Sequence, residues 1–261
     1  MASFRLLPAF AATLLLAASA GAARADTSAA ASYVINLGGN IIATASFKFD
    51  SAGGNYTLGL NANVTGVASL VAAGTAKADS SGVDTADGLH ADAFDLITHS
   101  DGQEFKVQVQ YAGGDVTAFV VTPPIVNNIN RVPIERSQLT GVTDMLAAFI
   151  LKGPKLDRTL CEQHAHIFTG IERFDLDFSY AKDDTATSPR TGYQGPVVLC
   201  KVTYKPISGH YTTSELTNSL AQNDRILIWY APLHDTGYFV PYRVLLTTSM
   251  GDLSMVLTSL D

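Results

Sequence analysis

Along most of the chain apolar and polar residues alternate one by one, the period of a strand with one dry and one wet face. Phe105, Val107, Val109 and Tyr111 alternate with Lys106, Gln108 and Gln110, and Leu58, Leu60, Ala62 and Val64 alternate with Thr57, Gly59, Asn61 and Asn63. Turn chemistry breaks these runs at Gly38-Gly39-Asn40, Asp50 to Asn55, Ser81-Gly82, Ser100-Asp101-Gly102 and Gly113-Gly114-Asp115. The pattern predicts strands near 32–37, 41–49, 56–64, 67–78, 89–98, 104–111 and 115–121, a meander of antiparallel hairpins.

The rhythm stops at Pro123-Pro124, because two prolines cannot donate to a ladder. A crossing segment runs from Ile125 to Leu139. Thr140 then reads as the cap of a helix over 141–152, with Val142, Met145, Leu146, Phe149 and Ile150 on one stripe and Lys152-Gly153-Pro154 as its stop. Strand periodicity returns near 162–168, 172–180, 194–206, 226–231, 238–248 and 252–259. Residues 182–192 read as a mobile loop by composition, and 212–224 is ambiguous, with Leu216 and Leu220 as two anchors of a short helix. The expected fold is mainly β: a curved antiparallel sheet forming an open barrel or β-spiral, with one amphipathic helix, 141–152, packed on it.

The first 25 residues change the address. Arg5, the apolar stretch from Leu6 to Ala18 and the small-x-small ending Ala23-Arg24-Ala25 form a secretory leader cut before Asp26. The expectation is a signal peptide, 1–25, followed by a single periplasmic β domain, 26–261. The apolar run is too short to cross a bilayer, so no membrane span is expected. The chain carries 17 basic and 24 acidic residues, a formal charge of −7, and losing Arg5 and Arg24 takes it to about −9. Such a balance disfavours nucleic acid, which needs clustered cations. The two cysteines, Cys161 and Cys200, are most simply a disulfide in an exported chain.

Candidate chemistry is sparse. On a strand, His164 and His166 point the same way with Glu162, which makes them the best metal candidates, yet no distant partner at ligand spacing accompanies them and no metal or cofactor is expected. Asp175 and Asp177 share one strand face, as a glycosidase pair could, but they also alternate with Phe174, Leu176 and Phe178 as a wet face should. Nucleophile elbows, zinc-protease motifs and phosphate-cradling loops are missing. The aromatic end, Trp229 to Arg243, could line a groove or form an ordinary hairpin with large cross-strand pairs.

Five stretches carry a family likeness: Leu139 to Phe149, Cys161, Phe168-Thr-Gly170-Ile-Glu172-Arg173-Phe174-Asp175-Leu176, Cys200 to Tyr211, and Val240-Pro241-Tyr242-Arg243. Together they resemble an exported proteobacterial family, domain of unknown function 3108, over essentially the whole mature chain. Met145 departs from the pattern, standing where a proline is expected after Asp144. The resemblance implies a secreted antiparallel β protein similar in architecture to the half-barrels of lipoprotein carriers and to envelope β-spirals. It implies no catalytic residue and carries over only the pair Cys161 and Cys200.

These readings lead to a non-enzymatic periplasmic binding or scaffolding protein of the envelope, its partner an apolar ligand or an envelope protein such as a lipoprotein. The alternative is a periplasmic hydrolase using Asp175, Asp177, His164 and His166. Small residues on the N-terminal strands leave room for an apolar pocket between sheet and helix, lined by Met145, Phe149, Phe105 and Val107.

Overall fold

The structure, a computed structural model, describes residues 26–65, 74–248 and 250–261. The leader and the first part of the strand expected at 67–78 lie outside the described residues. The N-terminal strands are β1 (Thr27–Leu37), β2 (Asn40–Ala52), β3 (Asn55–Val64), β4 (Gly74–Asp84), β5 (Leu89–Ser100), β6 (Gln103–Ala112) and β7 (Asp115–Thr122). After a long crossing come β8 (Leu151–Lys152), β9 (His164–Phe168), β10 (Arg173–Ala186), β11 (Gly195–Ser208), helix α1 (Glu215–Ala221), β12 (Ile226–Pro232), β13 (Tyr238–Thr248) and β14 (Gly251–Leu260).

All the strands join one 14-stranded sheet in the order β7-β6-β5-β4-β3-β2-β1-β14-β13-β12-β11-β10-β9, with β8 attached to β13. Because β1 pairs with β14, the first and last strands meet in the middle of the sheet. Its two edges, β7 and β9, therefore come from the middle of the chain, and residues 123–163 connect them. The sheet is curled. Phe49 on β2 and Tyr238 on β13 are three strands apart in the order, yet their rings meet at 4.7 Å. The edges approach as well: Phe119 of β7 packs edge-on to Phe168 of β9 at 5.1 Å, and the Tyr111 hydroxyl donates to the Phe168 carbonyl at 2.9 Å. Among the described residues no backbone ladder joins β7 to β9, so the barrel stays open along this seam.

Two apolar clusters fill the molecule. The first gathers Phe49, Phe94, Val107, Val109, Phe168 and Leu257 from both halves of the sheet. The second lies on the other face of the C-terminal strands, with Ile167, Leu176, Val198, Ile228 and Tyr230 covered by Leu151 and Leu160 of the crossing segment. Neighbours on one strand split between them, as Ile167 and Phe168 do, because successive side chains leave opposite faces. Each fully buried Phe contributes about 1.5–3 kcal/mol of hydrophobic stabilisation. Polar links cross the interior too. Asp144, fully buried, accepts from Ser80 Oγ at 2.6 Å and from the Leu146 and Ala147 amides, and Ser80 in turn bonds Tyr56. Burial pushes the Asp144 carboxyl above the ordinary range, with those donors opposing it.

Three expectations are corrected. The helix over 141–152 does not form; only a 3-10 turn, Ala147–Phe149, survives. The groups that would close its rings are taken elsewhere: the Leu146 and Ala147 amides, due at the Val142 and Thr143 carbonyls in a helix, both donate to the Asp144 carboxylate, and the Thr143 carbonyl accepts from Phe168 across the seam. Backbone groups satisfied in this way cannot also close helical rings. The stripe is buried in a different way: Val142, Leu146 and Ile150 join the first cluster, Phe149 packs on the second and Met145 on both. The α-helix present is α1, within the ambiguous 212–224. Second, Ser81-Gly82 is not a turn. Gly82 sits inside β4 at a bulge, where a Cβ would stand 2.0 Å from the His90 carbonyl, so its lack of a side chain serves close strand approach. Third, β10 continues to Ala186 against Gly195–Leu199, so the first half of the expected loop 182–192 is strand.

Gly170 lies in the family-like stretch 168–176 at a position that needs glycine. It takes φ +83° in the turn from β9 to β10, and a Cβ there would lie 2.2 Å from Val107 Cγ1 and 3.1 Å from Val109 Cγ2. Gly170→Ala is expected to lower the unfolding free energy by about 2–4 kcal/mol, through left-handed strain and overpacking. Urea denaturation of the single variants and of Gly170→Ala/Val107→Ala checks the cause: the double variant recovers part of the loss, and strict additivity would show that the Val107 contact is not responsible.

Candidate functional site

The seam is the most distinctive surface. Past β7 the chain turns through Pro123-Pro124 and runs along the open edge, held there by Arg131. Its Nε donates to the Gly209 carbonyl at 2.8 Å and its Nη2 to the Ile171 carbonyl at 2.9 Å, while Nη1 holds Asn127. Backbone bonds from Val132 to His210, from Gly209 to Val132 and from Thr212 to Asn130 stitch the same segment to 209–212. Between this strap and β7 lies a groove of about 540 Å³, its walls formed by Phe119, Val121, Pro124, Ile125, Pro133 and Ile134, with Asn127, Asn128 and Arg131 at its polar side. Its surroundings are unusually apolar for a surface: Val120 is 57% exposed, Val126 71% and Ile129 99%. Residues 116–122 carry no charge and end at proline. Among the described residues no backbone bond pairs β7 on its outer side.

The other edge is different. β9 is capped by a parallel bridge from Thr143 to Ile167. His164 and His166 stand directly opposite Asp177 and Asp175 of β10, each Nδ1 2.6 Å from a carboxylate oxygen. Lys205 also pairs with Asp177 and the buried Arg173 with Asp175. Bonds from Lys205 and His164 hold the Asp177 carboxyl below the ordinary range. Partial burial pushes Asp175 up, but bonds from His166 and Arg173 outweigh it and hold it low. Neither carboxyl has the raised affinity for a proton that a glycosidase acid needs, so the arrangement disfavours that chemistry. Glu162 is not with them; it pairs with Arg158 at 3.1 Å.

A family model described as protein of unknown function (DUF3108) matches residues 32–258. The chain belongs to the DUF3108 family. No curated protein matches it. The crystal structure of a beta-barrel-like protein of the domain of unknown function DUF1849 from Brucella abortus is similar in fold, with a TM-score of 0.51, 13% identity, and coverage of 90% of this chain and 97% of that one. The family-like segments of this DUF3108 protein now have places: Gly170 lies in the β9–β10 turn at the seam with Arg173 to Asp175 opening β10, and Cys161 and Cys200 are joined. The bond fastens the 3-10 turn Arg158–Cys161, which covers the second cluster, to β11.

The expected pocket residues divide between the two clusters. Val107 is fully buried against Gly170, Phe105 packs on the first cluster, Phe149 on the second, and Met145 touches both. The helix that was to form the facing wall is absent. The aromatic end forms the β12–β13 hairpin, with Trp229 opposite Arg243 and its indole donating to Asp184 at 3.0 Å. Tyr230, Tyr238 and Phe239 are buried there. Sequence reasoning missed Arg131 and the strap; the signal was available in Pro123-Pro124 followed by apolar residues outside any period, Ile125, Val126 and Ile129.

Proposed function

We propose that this is an exported, non-enzymatic binding or scaffolding protein of the cell envelope, acting in the periplasm once residues 1–25 are removed, and that its docking surface is the seam groove. The observation that carries the reading is the conjunction of an unpaired, uncharged strand edge with an apolar groove beside it. An open edge offers backbone donors and acceptors to an extended segment, and a flanking groove takes alternate side chains of that segment. The occupant that fits is an extended apolar segment of an envelope protein. The groove's volume is within the range of ligand sites. Among the described residues no helix is long and apolar enough to cross a membrane.

The probe is a fluorescein-labelled peptide with the sequence of residues 116–122, an uncharged strand-former. Its anisotropy should rise saturably with the mature protein, and its affinity should fall at least tenfold with Val121→Lys or Ile125→Lys, both in the groove wall and only partly buried. Equal binding by wild type and both variants would refute the seam as the docking surface.

A further inference from the structure

Two imidazoles on one strand face are common; what surrounds these two is not. Each carboxylate opposite His164 and His166 already carries a cation of its own, Lys205 on Asp177 and Arg173 on Asp175. An ionised carboxylate can only accept, so each ring must place its proton on Nδ1. In the neutral ring Nε2 is then the atom with the free lone pair. Both side chains are open to solvent, His164 at 70% and His166 at 50%. A carboxylate gripping Nδ1–H while Nε2 faces outward is the arrangement that orients metal-binding histidines and raises their basicity. Here it occurs twice, two residues apart on β9, beside a cleft of about 330 Å³ that His90, Lys152 and Gln163 also line.

We propose that His164 and His166 chelate one divalent first-row transition ion through their Nε2 atoms, with Asp177 and Asp175 as positioning residues. Imidazole suits copper(II), nickel(II) and zinc(II), and copper(II) should bind tightest by the general order of stability. Among the described residues no group of three or more His, Cys, Asp or Glu able to hold a metal is present. The site therefore supplies two nitrogens and leaves the remaining positions to water or to a ligand in the cleft, an open and exchangeable site rather than a structural one.

The test is titration of the mature protein with copper(II), and separately zinc(II), by calorimetry, with electron paramagnetic resonance on the copper form. One copper ion per chain, with splitting from two imidazole nitrogens, is expected. His164→Ala and His166→Ala should each weaken copper binding at least tenfold and leave at most one nitrogen in the spectrum. Asp177→Asn should weaken it ten- to a hundredfold with the circular dichroism unchanged. His99→Ala, on β5 and outside the cleft, should leave both readouts alone. Wild-type affinity and spectrum in both histidine variants, or no imidazole splitting in the wild type, would overturn the chelate. Unchanged affinity in Asp177→Asn would overturn the positioning role.

Discussion

Asp84→Ala is expected to lower the unfolding free energy by about 3–5 kcal/mol, the cost of breaking a buried ion pair by removing one partner. Asp84 ends β4 with its side chain 1% exposed, and Lys152 of β8, 12% exposed, is its counter-ion. Ser51 of β2 donates to the same carboxylate at 2.6 Å and Tyr238 of β13 donates to it as well. Lys152 also donates to the Thr85 carbonyl at 2.6 Å. One carboxylate thus ties together β2, β4, β8 and β13, and its loss leaves a largely desolvated ammonium without its counter-ion. Chemical denaturation should show the drop, and a loss below about 1 kcal/mol would mean that water already reaches the pair. The acid limb supplies a second check. Burial pushes the Asp84 carboxyl up, but bonds from Lys152, Ser51 and Tyr238 and the lysine charge outweigh it and hold it below the ordinary value. A carboxyl lowered on folding contributes stability that is complete above the unfolded value of about 3.9 and is lost as pH falls through the folded one. Wild type should therefore lose stability below about pH 4 more steeply than Asp84→Ala, while the lowered Asp175 and Asp177 keep part of the slope in both.

Reducing the Cys161–Cys200 bond should leave the strand signal in circular dichroism largely intact at low temperature and lower the midpoint of unfolding. The bond closes a loop of 39 positions across a Cα–Cα distance of 5.3 Å. Loop-closure entropy puts its contribution at roughly 4 kcal/mol, equivalent to roughly 8–16 °C for a chain of this size. The effect acts mainly on the unfolded chain, which regains the freedom of the segment holding β9, β10 and the Gly170 turn. Cys161→Ser should cost as much as the double serine variant, since both positions are fully buried and either change opens the loop. Alkylation of both thiols in unreduced protein would remove the basis of this prediction.

The alternation of Phe105, Val107, Val109 and Tyr111 against Lys106, Gln108 and Gln110 was enough to place β6, because a strand's period is a local property that its own side chains express. The same holds for the hairpin turns at Gly38-Gly39 and Gly113-Gly114, where positive φ requires glycine, and for the pairing of two cysteines in a chain read as exported. The seam was not legible. It exists because β1 pairs with β14, which makes edges of two strands from mid-chain, and strand order is a non-local choice. The stripe from Val142 to Ile150 has helical spacing, yet the Asp144 carboxylate takes the Leu146 and Ala147 amides and Phe168 takes the Thr143 carbonyl, and that last bond exists only once the edges approach. The two histidines were visible as a pair, whereas the aspartates that orient them became their partners through the β9–β10 register. Asp84 and Lys152, 68 positions apart, carry no sign of each other in the sequence; only the curled sheet brings them close, and burial there makes the loss of either partner costly.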